Sequence, residues 1–213
     1  MTRNKWYTVL PEAILCSFAL MFFSFFIHYG LPIRLLSFAA LILPAYFFSR
    51  NLQSLSDLRN ITGESVPLKI TILYCIAGIF AGMLFAIIYR RHLEISLFPK
   101  SLHFFVLVAT LIGCTEELVF RGFIQEYVKS LNTPFSILYS TISHTGYKCC
   151  LFLSPMITAD IDIGFLAFWT FMAGILLGTI KHVSKSILPP LIAHALFDIL
   201  VYAEFVSAPW WVW

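Results

Sequence analysis

Apolar residues in this chain come in long blocks rather than in alternation, and the blocks have membrane-crossing length, about 20 residues each. The first covers residues 10–29 and the second residues 31–48, with only Gly30 between them, which predicts a helical hairpin. A polar connection at 49–69 carries Arg50, Asp57, Arg59, Glu64 and Lys69. Residues 70–89 contain no charge and stop at Arg90-Arg91, which predicts a third span. A fourth helix is expected over residues 101–129. It is longer than a bilayer requires, so it tilts or its last turns emerge into water. Asn132-Thr133-Pro134 has the form of a helix start, a capping side chain with proline at the first helical position. The fifth helix begins there and carries His144. Residues 148–162, with Lys148, Pro155, Asp160 and Asp162, read as a loop or a loop with a short re-entrant piece. A sixth span at 163–180 contains Gly174-x-x-x-Gly178, a spacing that lets another helix approach closely, from this chain or from a second copy. Pro189-Pro190 open a seventh helix, and Trp210-Trp211-Val212-Trp213 is an aromatic anchor for a bilayer interface. The expected fold is all-α, a polytopic transmembrane helical bundle of seven spans, or eight, with residues 1–213 forming a single transmembrane domain.

Composition turns this pattern into a statement about solvent. Hydrophobic residues make up 60% of the 213 positions and charged residues 12%, with a mean hydropathy of +0.87. A soluble domain carries roughly 25% charged residues. The chain therefore reads as a multi-pass protein of the cell membrane, with lipids as partners. The net charge of +3 is small and scattered and forms no basic stripe, which excludes nucleic acid as a partner. The first apolar block is longer than the core of a signal peptide and is followed by no small-x-small cleavage site, so it is expected to remain as the first span. Cys16, Cys75 and Cys114 lie in apolar runs and Cys149-Cys150 are adjacent. No spacing suggests a disulfide framework or a zinc knuckle.

Against this background one stretch is out of place: Thr115-Glu116-Glu117-Leu118-Val119-Phe120-Arg121 puts two carboxylates and a guanidinium inside a span. Each such group costs about 2.5–3.5 kcal/mol on insertion scales, so unused ones are not expected to be tolerated. On a helix Glu117 and Arg121 are i,i+4 and can pair, while Glu116 points about 100° away and stays free to act. Two histidines lie at comparable depth. At about 1.5 Å per residue Glu116 and His144 are about 15–18 Å from the turn their helices share, and His194 is about 8 Å from Pro189. Asp198 follows His194 at i+4. Three readings compete: interhelical hydrogen bonds with no turnover, a proton or ion pathway, and hydrolysis. No internal repeat relates the two halves, which counts against a transporter. In the hydrolytic reading a glutamate beside a histidine takes a proton from water and a second histidine stabilises the oxyanion.

Glu116-Glu117-x-x-x-Arg121, then His144 on the next helix, then His194-x-x-x-Asp198 after Phe171-x-x-Gly174-x-x-x-Gly178, resembles the CAAX-protease and bacteriocin-processing (CPBP) family of intramembrane endopeptidases, over catalytic helices at 101–202. The resemblance implies a bundle of seven or eight helices around a polar cavity open to the cytosol. It implies that Glu116 and His144 activate water, that His194 and Asp198 stabilise the oxyanion, and that Glu117 and Arg121 are supporting residues. The partner would be a membrane-associated protein or peptide substrate. Two positions depart from the pattern. Ser140 stands where phenylalanine is usual, and Asp198 stands where asparagine is common. An ionised aspartate can only accept, so Asp198 is expected to orient His194. No cofactor is expected, although Glu116, His144 and His194 form a ligand set that zinc could use. Two alternatives follow: a zinc-dependent intramembrane metalloprotease, and a non-enzymatic membrane scaffold or immunity protein. Eight basic residues (Arg3, Lys5, Arg50, Arg59, Lys69, Lys129, Lys181, Lys185) against five (Arg34, Arg90, Arg91, Lys100, Lys148) favour an inside N-terminus. The cavity then opens to the cytoplasm.

Overall fold

A computed structural model describes residues 3–52, 59, 62, 66–157 and 161–206. The C-terminal tryptophans, Asp160 and most of the 49–69 connection lie outside them. The described residues form helices α1 (Arg3–Phe26), α2 (Ile33–Ala40), α3 (Ile42–Asn51), α4 (Leu68–His92), α5 (Phe105–Glu117), α6 (Gln125–Lys129), α7 (Thr133–Leu153), α8 (Ile163–Ser184) and α9 (Leu188–Tyr202), with a π-helical segment, Leu118–Ile124, between α5 and α6. No strand occurs among the described residues.

Helices α2 and α3 continue one another as a 19-residue apolar rod interrupted at Leu41, and α5, the π segment and α6 form another continuous rod. Among the described residues four stretches are long and apolar enough to cross a membrane: Trp6–Phe26, Ile33–Asn51, Leu68–His92 and Ile163–Ser184. The apolar α9 has 15 residues. The start signal read at Asn132 acts as a cap, and the structure adds a second at Asp162. Asn132 Oδ1 accepts from the Phe135 N–H at 3.1 Å, and Asp162 Oδ1 accepts from the Phe165 N–H at 2.9 Å. The stretch expected as a loop from residue 148 is helical for another turn and a half, because α7 runs to Leu153. Lys148 is therefore a helical residue four positions after His144.

Close packing is achieved with small residues, as expected where lipid and core are equally apolar. A methyl on Gly78 would lie 2.5 Å from the Pro189 carbonyl oxygen, and one on Gly82 would overlap the Ala193 carbonyl, so α4 and α9 meet backbone to backbone. The Gly174-x-x-x-Gly178 face is filled from within the chain. Thr141 Cγ2 lies 2.6 Å from the position of a Gly174 methyl, and Ile137 and Gln125 crowd Gly178. Helix α1 docks on α7 through Ser17 Oγ, 2.9 Å from Ser143 Oγ and 3.0 Å from the Tyr139 hydroxyl. Phe18, Phe80, Phe104, Leu107 and Leu111 remain exposed, on the surface that lipid would cover.

The ends of the bundle are tied by charge. At one end, fully buried Arg90 donates to the Ser96 and Leu200 carbonyls and to Glu204 Oε2 at 2.7 Å, while the Lys100 N–H donates to Glu204 Oε1 at 2.9 Å. The Lys100 N–H and the Arg90 guanidinium hold the Glu204 carboxyl below the usual carboxylate range. At the other end Arg50 meets Glu12 at 2.6 Å, Tyr127 also donates to Glu12, and Lys129 and Lys181 converge on Glu126. The polar cluster lies between these two ties.

Candidate active site

Helix α5 delivers Glu116 and Glu117 in its last turn, where the chain widens into the π segment that carries Arg121. Such widened turns recur at functional sites because they re-aim side chains. The segment is pinned to α7 by Ser140 Oγ, which donates to the Phe120 carbonyl at 2.6 Å, and by Phe120, whose ring stacks on His144 at 4.6 Å. Ser140 thus has a structural task of its own, and a phenylalanine from the neighbouring rod packs on the histidine.

Glu117 and Arg121 pair at 3.1 Å with side chains 0% and 1% exposed. The same Arg121 nitrogen, NH1, lies 2.6 Å from His144 Nδ1. A guanidinium can only donate, so Nδ1 accepts and the proton of neutral His144 resides on Nε2, 3.2 Å from Glu116 Oε2. His194 Nδ1 lies 2.9 Å from Glu117 Oε1, and its Nε2 lies 3.8 Å from both Glu116 Oε2 and Asp198 Oδ2. Lys148 Nζ stands 2.6 Å from Glu116 Oε1. Gly113, one turn before Glu117, lets this happen: a methyl there would overlap Asp198 Oδ2 and lie 2.8 Å from the His194 ring.

All six residues expected from the sequence converge, and three details differ from expectation. Glu116 is not free: His144 hydrogen-bonds Oε2 and the Lys148 ammonium is ion-paired with Oε1. Glu117, not Asp198, orients His194 through Nδ1. Asp198 instead faces the opposite ring nitrogen, and its Oδ2 is buried without a hydrogen-bond partner in the protein. Lys148, expected in an outer loop, belongs to the cluster; its i,i+4 spacing from His144 is the signal that could have found it. Phe120, Ser140 and Gly113 were not singled out as partners either, and no one-dimensional pattern marks them.

The cluster forms one wall of a cavity of about 270 Å³. Glu117, Arg121, His144, Lys148, His194 and Asp198 line it on that side; Phe85, Tyr89, Trp169, Leu177 and Phe197 line it elsewhere. The residues do not fit zinc. His144 uses Nδ1 for Arg121 and presents a protonated Nε2 to Glu116, which leaves no lone pair for a metal. Among the described residues no group of three or more His, Cys, Asp or Glu side chains is arranged to hold a metal ion.

An all-helical bundle with helices long and apolar enough to cross a membrane and a buried carboxylate–histidine cluster beside an apolar cavity fits a class, the membrane hydrolases. Within that class, residues 98–200 match the family model for Rce1-like proteins, described as type II CAAX prenyl endopeptidase Rce1-like. The chain carries this Rce1-like domain, consistent with the CPBP family, and it is thereby a protease, a hydrolase of peptide bonds. The matched range spans α5 to the last turn of α9, which together contribute every residue of the cluster. No curated protein and no solved structure matches the chain.

Proposed function

We propose that this chain is an intramembrane endopeptidase of the glutamic type, hydrolysing a peptide bond of a membrane-associated protein or peptide. The observation that carries this reading is the position of Glu116: a buried carboxylate with His144 Nε2 at 3.2 Å, His194 Nε2 at 3.8 Å and a cavity of about 270 Å³ beside the histidines. Glu116 accepts the proton of the attacking water, His144 orients the carboxylate, and His194, whose Nδ1–H donates to Glu117, turns Nε2 toward the reacting carbonyl, where it donates in the doubly protonated form of the ring. Glu117 and Arg121 act by positioning both histidines. Asp198 neighbours His194 Nε2 and sets the polarity around the developing charge.

The apolar side of the cavity, with Phe85, Trp169 and Phe197, suits the hydrophobic part of a lipid-modified or membrane-embedded chain. The family's description, a CAAX prenyl endopeptidase, supports a prenylated peptide as the first probe. The same reading includes seven spans in one transmembrane domain of the cell membrane, catalytic helices within 101–202, and a cavity that opens to the cytoplasm. It is tested with purified protein in liposomes and a fluorogenic farnesylated CAAX peptide. The expected result is cleavage at one internal peptide bond, with the products together heavier than the substrate by one water. Folded protein that cleaves neither this peptide nor any endogenous membrane protein would contradict it.

A further inference from the structure

Both oxygens of Glu116 face a donor: Oε2 lies 3.2 Å from His144 Nε2, and Oε1 is ion-paired with Lys148 Nζ at 2.6 Å without hydrogen-bond alignment. Lys148 stands on the Oε1 side of this carboxylate, so its withdrawal opens that oxygen to an attacking water. His144 is not the one that moves: Arg121 holds Nδ1 at 2.6 Å, Phe120 stacks on the ring, and the side chain is 4% exposed. Lys148 sits at the end of a flexible stem, is 21% exposed and lines the cavity, from which Glu116 is set back.

The remaining polar groups of the wall narrow the chemistry. Glu117 and Asp198 can only accept when ionised, and Arg121 NH1 is shared between Glu117 and His144. His194 uses Nδ1 on Glu117 and has one nitrogen left. The lysine ammonium brings three donors and a full charge to the place where a carbonyl oxygen would become negative.

We propose that Lys148 is a catalytic residue: as the substrate enters, its ammonium turns from Glu116 Oε1 into the cavity and donates to the scissile carbonyl oxygen. This rests on the reading of Glu116 as the base. Water then bonds to the carbonyl carbon while its proton passes to Glu116, and the carbonyl π pair moves onto the oxygen as an oxyanion held by Lys148. The pair returns, the C–N bond breaks, and the proton on Glu116 goes to the leaving nitrogen. Lys148 keeps its proton throughout, so its action is electrostatic.

The test is steady-state kinetics of Lys148→Met and Lys148→Arg in liposomes with the farnesylated CAAX peptide, together with inhibition by a phosphinate analogue of that peptide, a tetrahedral mimic. One missing oxyanion donor lowers kcat by about 10²–10³-fold. Lys148→Met is expected to lose that much kcat with KM within about threefold and to bind the phosphinate weaker by a matching factor. Lys148→Arg is expected to recover at least about tenfold of the loss, since it restores charge and donors. A purely structural contact with Glu116 would weaken substrate and phosphinate together, which overturns the proposal. So does a Lys148→Met kcat within about threefold of wild type, a loss far below one oxyanion donor. If Lys148→Met does not fold, Lys148→Gln, which keeps an amide donor beside Glu116, is read by the same criteria. A wild type without turnover overturns the proposed function itself. An active wild type with an unaffected Lys148 variant overturns only the role of the lysine.

Discussion

Arg121→Met removes one charge from the centre of the bundle while keeping a stem of similar length. The wild-type guanidinium pairs with Glu117 at 3.1 Å and contacts His144 Nδ1 at 2.6 Å, and both partners are buried. Without it the Glu117 carboxylate, 0% exposed, retains only His194 at 2.9 Å. Removing one partner of a buried ion pair costs about 3–5 kcal/mol, because the other charge is left uncompensated. The surviving His194 contact puts the expected loss near the lower end, about 3 kcal/mol. In the double variant Glu117→Gln/Arg121→Met no buried charge is stranded, and the Gln oxygen can still accept from His194. Its stability is expected within about 1–2 kcal/mol of wild type, so adding Glu117→Gln recovers about 1–2 kcal/mol of the Arg121→Met loss, where independent sites would add their losses. Equilibrium unfolding in mixed micelles, followed by tryptophan fluorescence, measures all four corners of the cycle. A single variant losing less than about 1 kcal/mol, or a double variant as unstable as the single, would refute the claim that this pair is a desolvated, mutually dependent unit.

Two further predictions concern packing and topology. Gly113→Ala places a methyl against Asp198 Oδ2 and the His194 ring. Overpacking of about 1–3 kcal/mol spent on site geometry corresponds to roughly a ten- to hundredfold loss in kcat/KM, measured on the farnesylated peptide, with the fold retained; unchanged activity would refute the close approach. In intact cells a maleimide probe is expected to label a cysteine added after Trp213 but not Lys185→Cys, an exposed position of the same turn, and the reverse pattern would invert the orientation and require a substrate from the outer side.

The acidic pair was legible in the sequence because charge in an apolar run is costly, so Glu116, Glu117 and Arg121 announce themselves without any structure. His144 and His194 followed from helix rise and from the turns that their helices share with neighbours. The cap at Asn132 is local chemistry and marked a helix start correctly, whereas the cap at Asp162 was read only as part of a loop. What escaped is tertiary. Lys148 precedes a mixed stretch with Pro155 and two aspartates, which argued for a loop, yet burial against the cluster keeps α7 helical to Leu153. The π segment at Leu118–Ile124 has no pattern of its own, so the contact from Ser140 to the Phe120 carbonyl could not be read. His194 was given to Asp198 by i,i+4 spacing on one helix. Glu117 on another helix lies closer, at the nitrogen that sets the ring's orientation.

In the proposed mechanism Glu116 is the base. Glu116→Gln preserves the shape and the contact to His144 but accepts no proton. With purified protein in liposomes, kcat and KM on the farnesylated peptide and Kd for its phosphinate analogue are measured for wild type and variant side by side. The account predicts a fall in kcat of at least about 10³-fold, within the range of a lost general base in a buried site, with KM within about threefold of wild type and the variant folded. A folded Glu116→Gln variant that cleaves the peptide at a near-wild-type rate would contradict it.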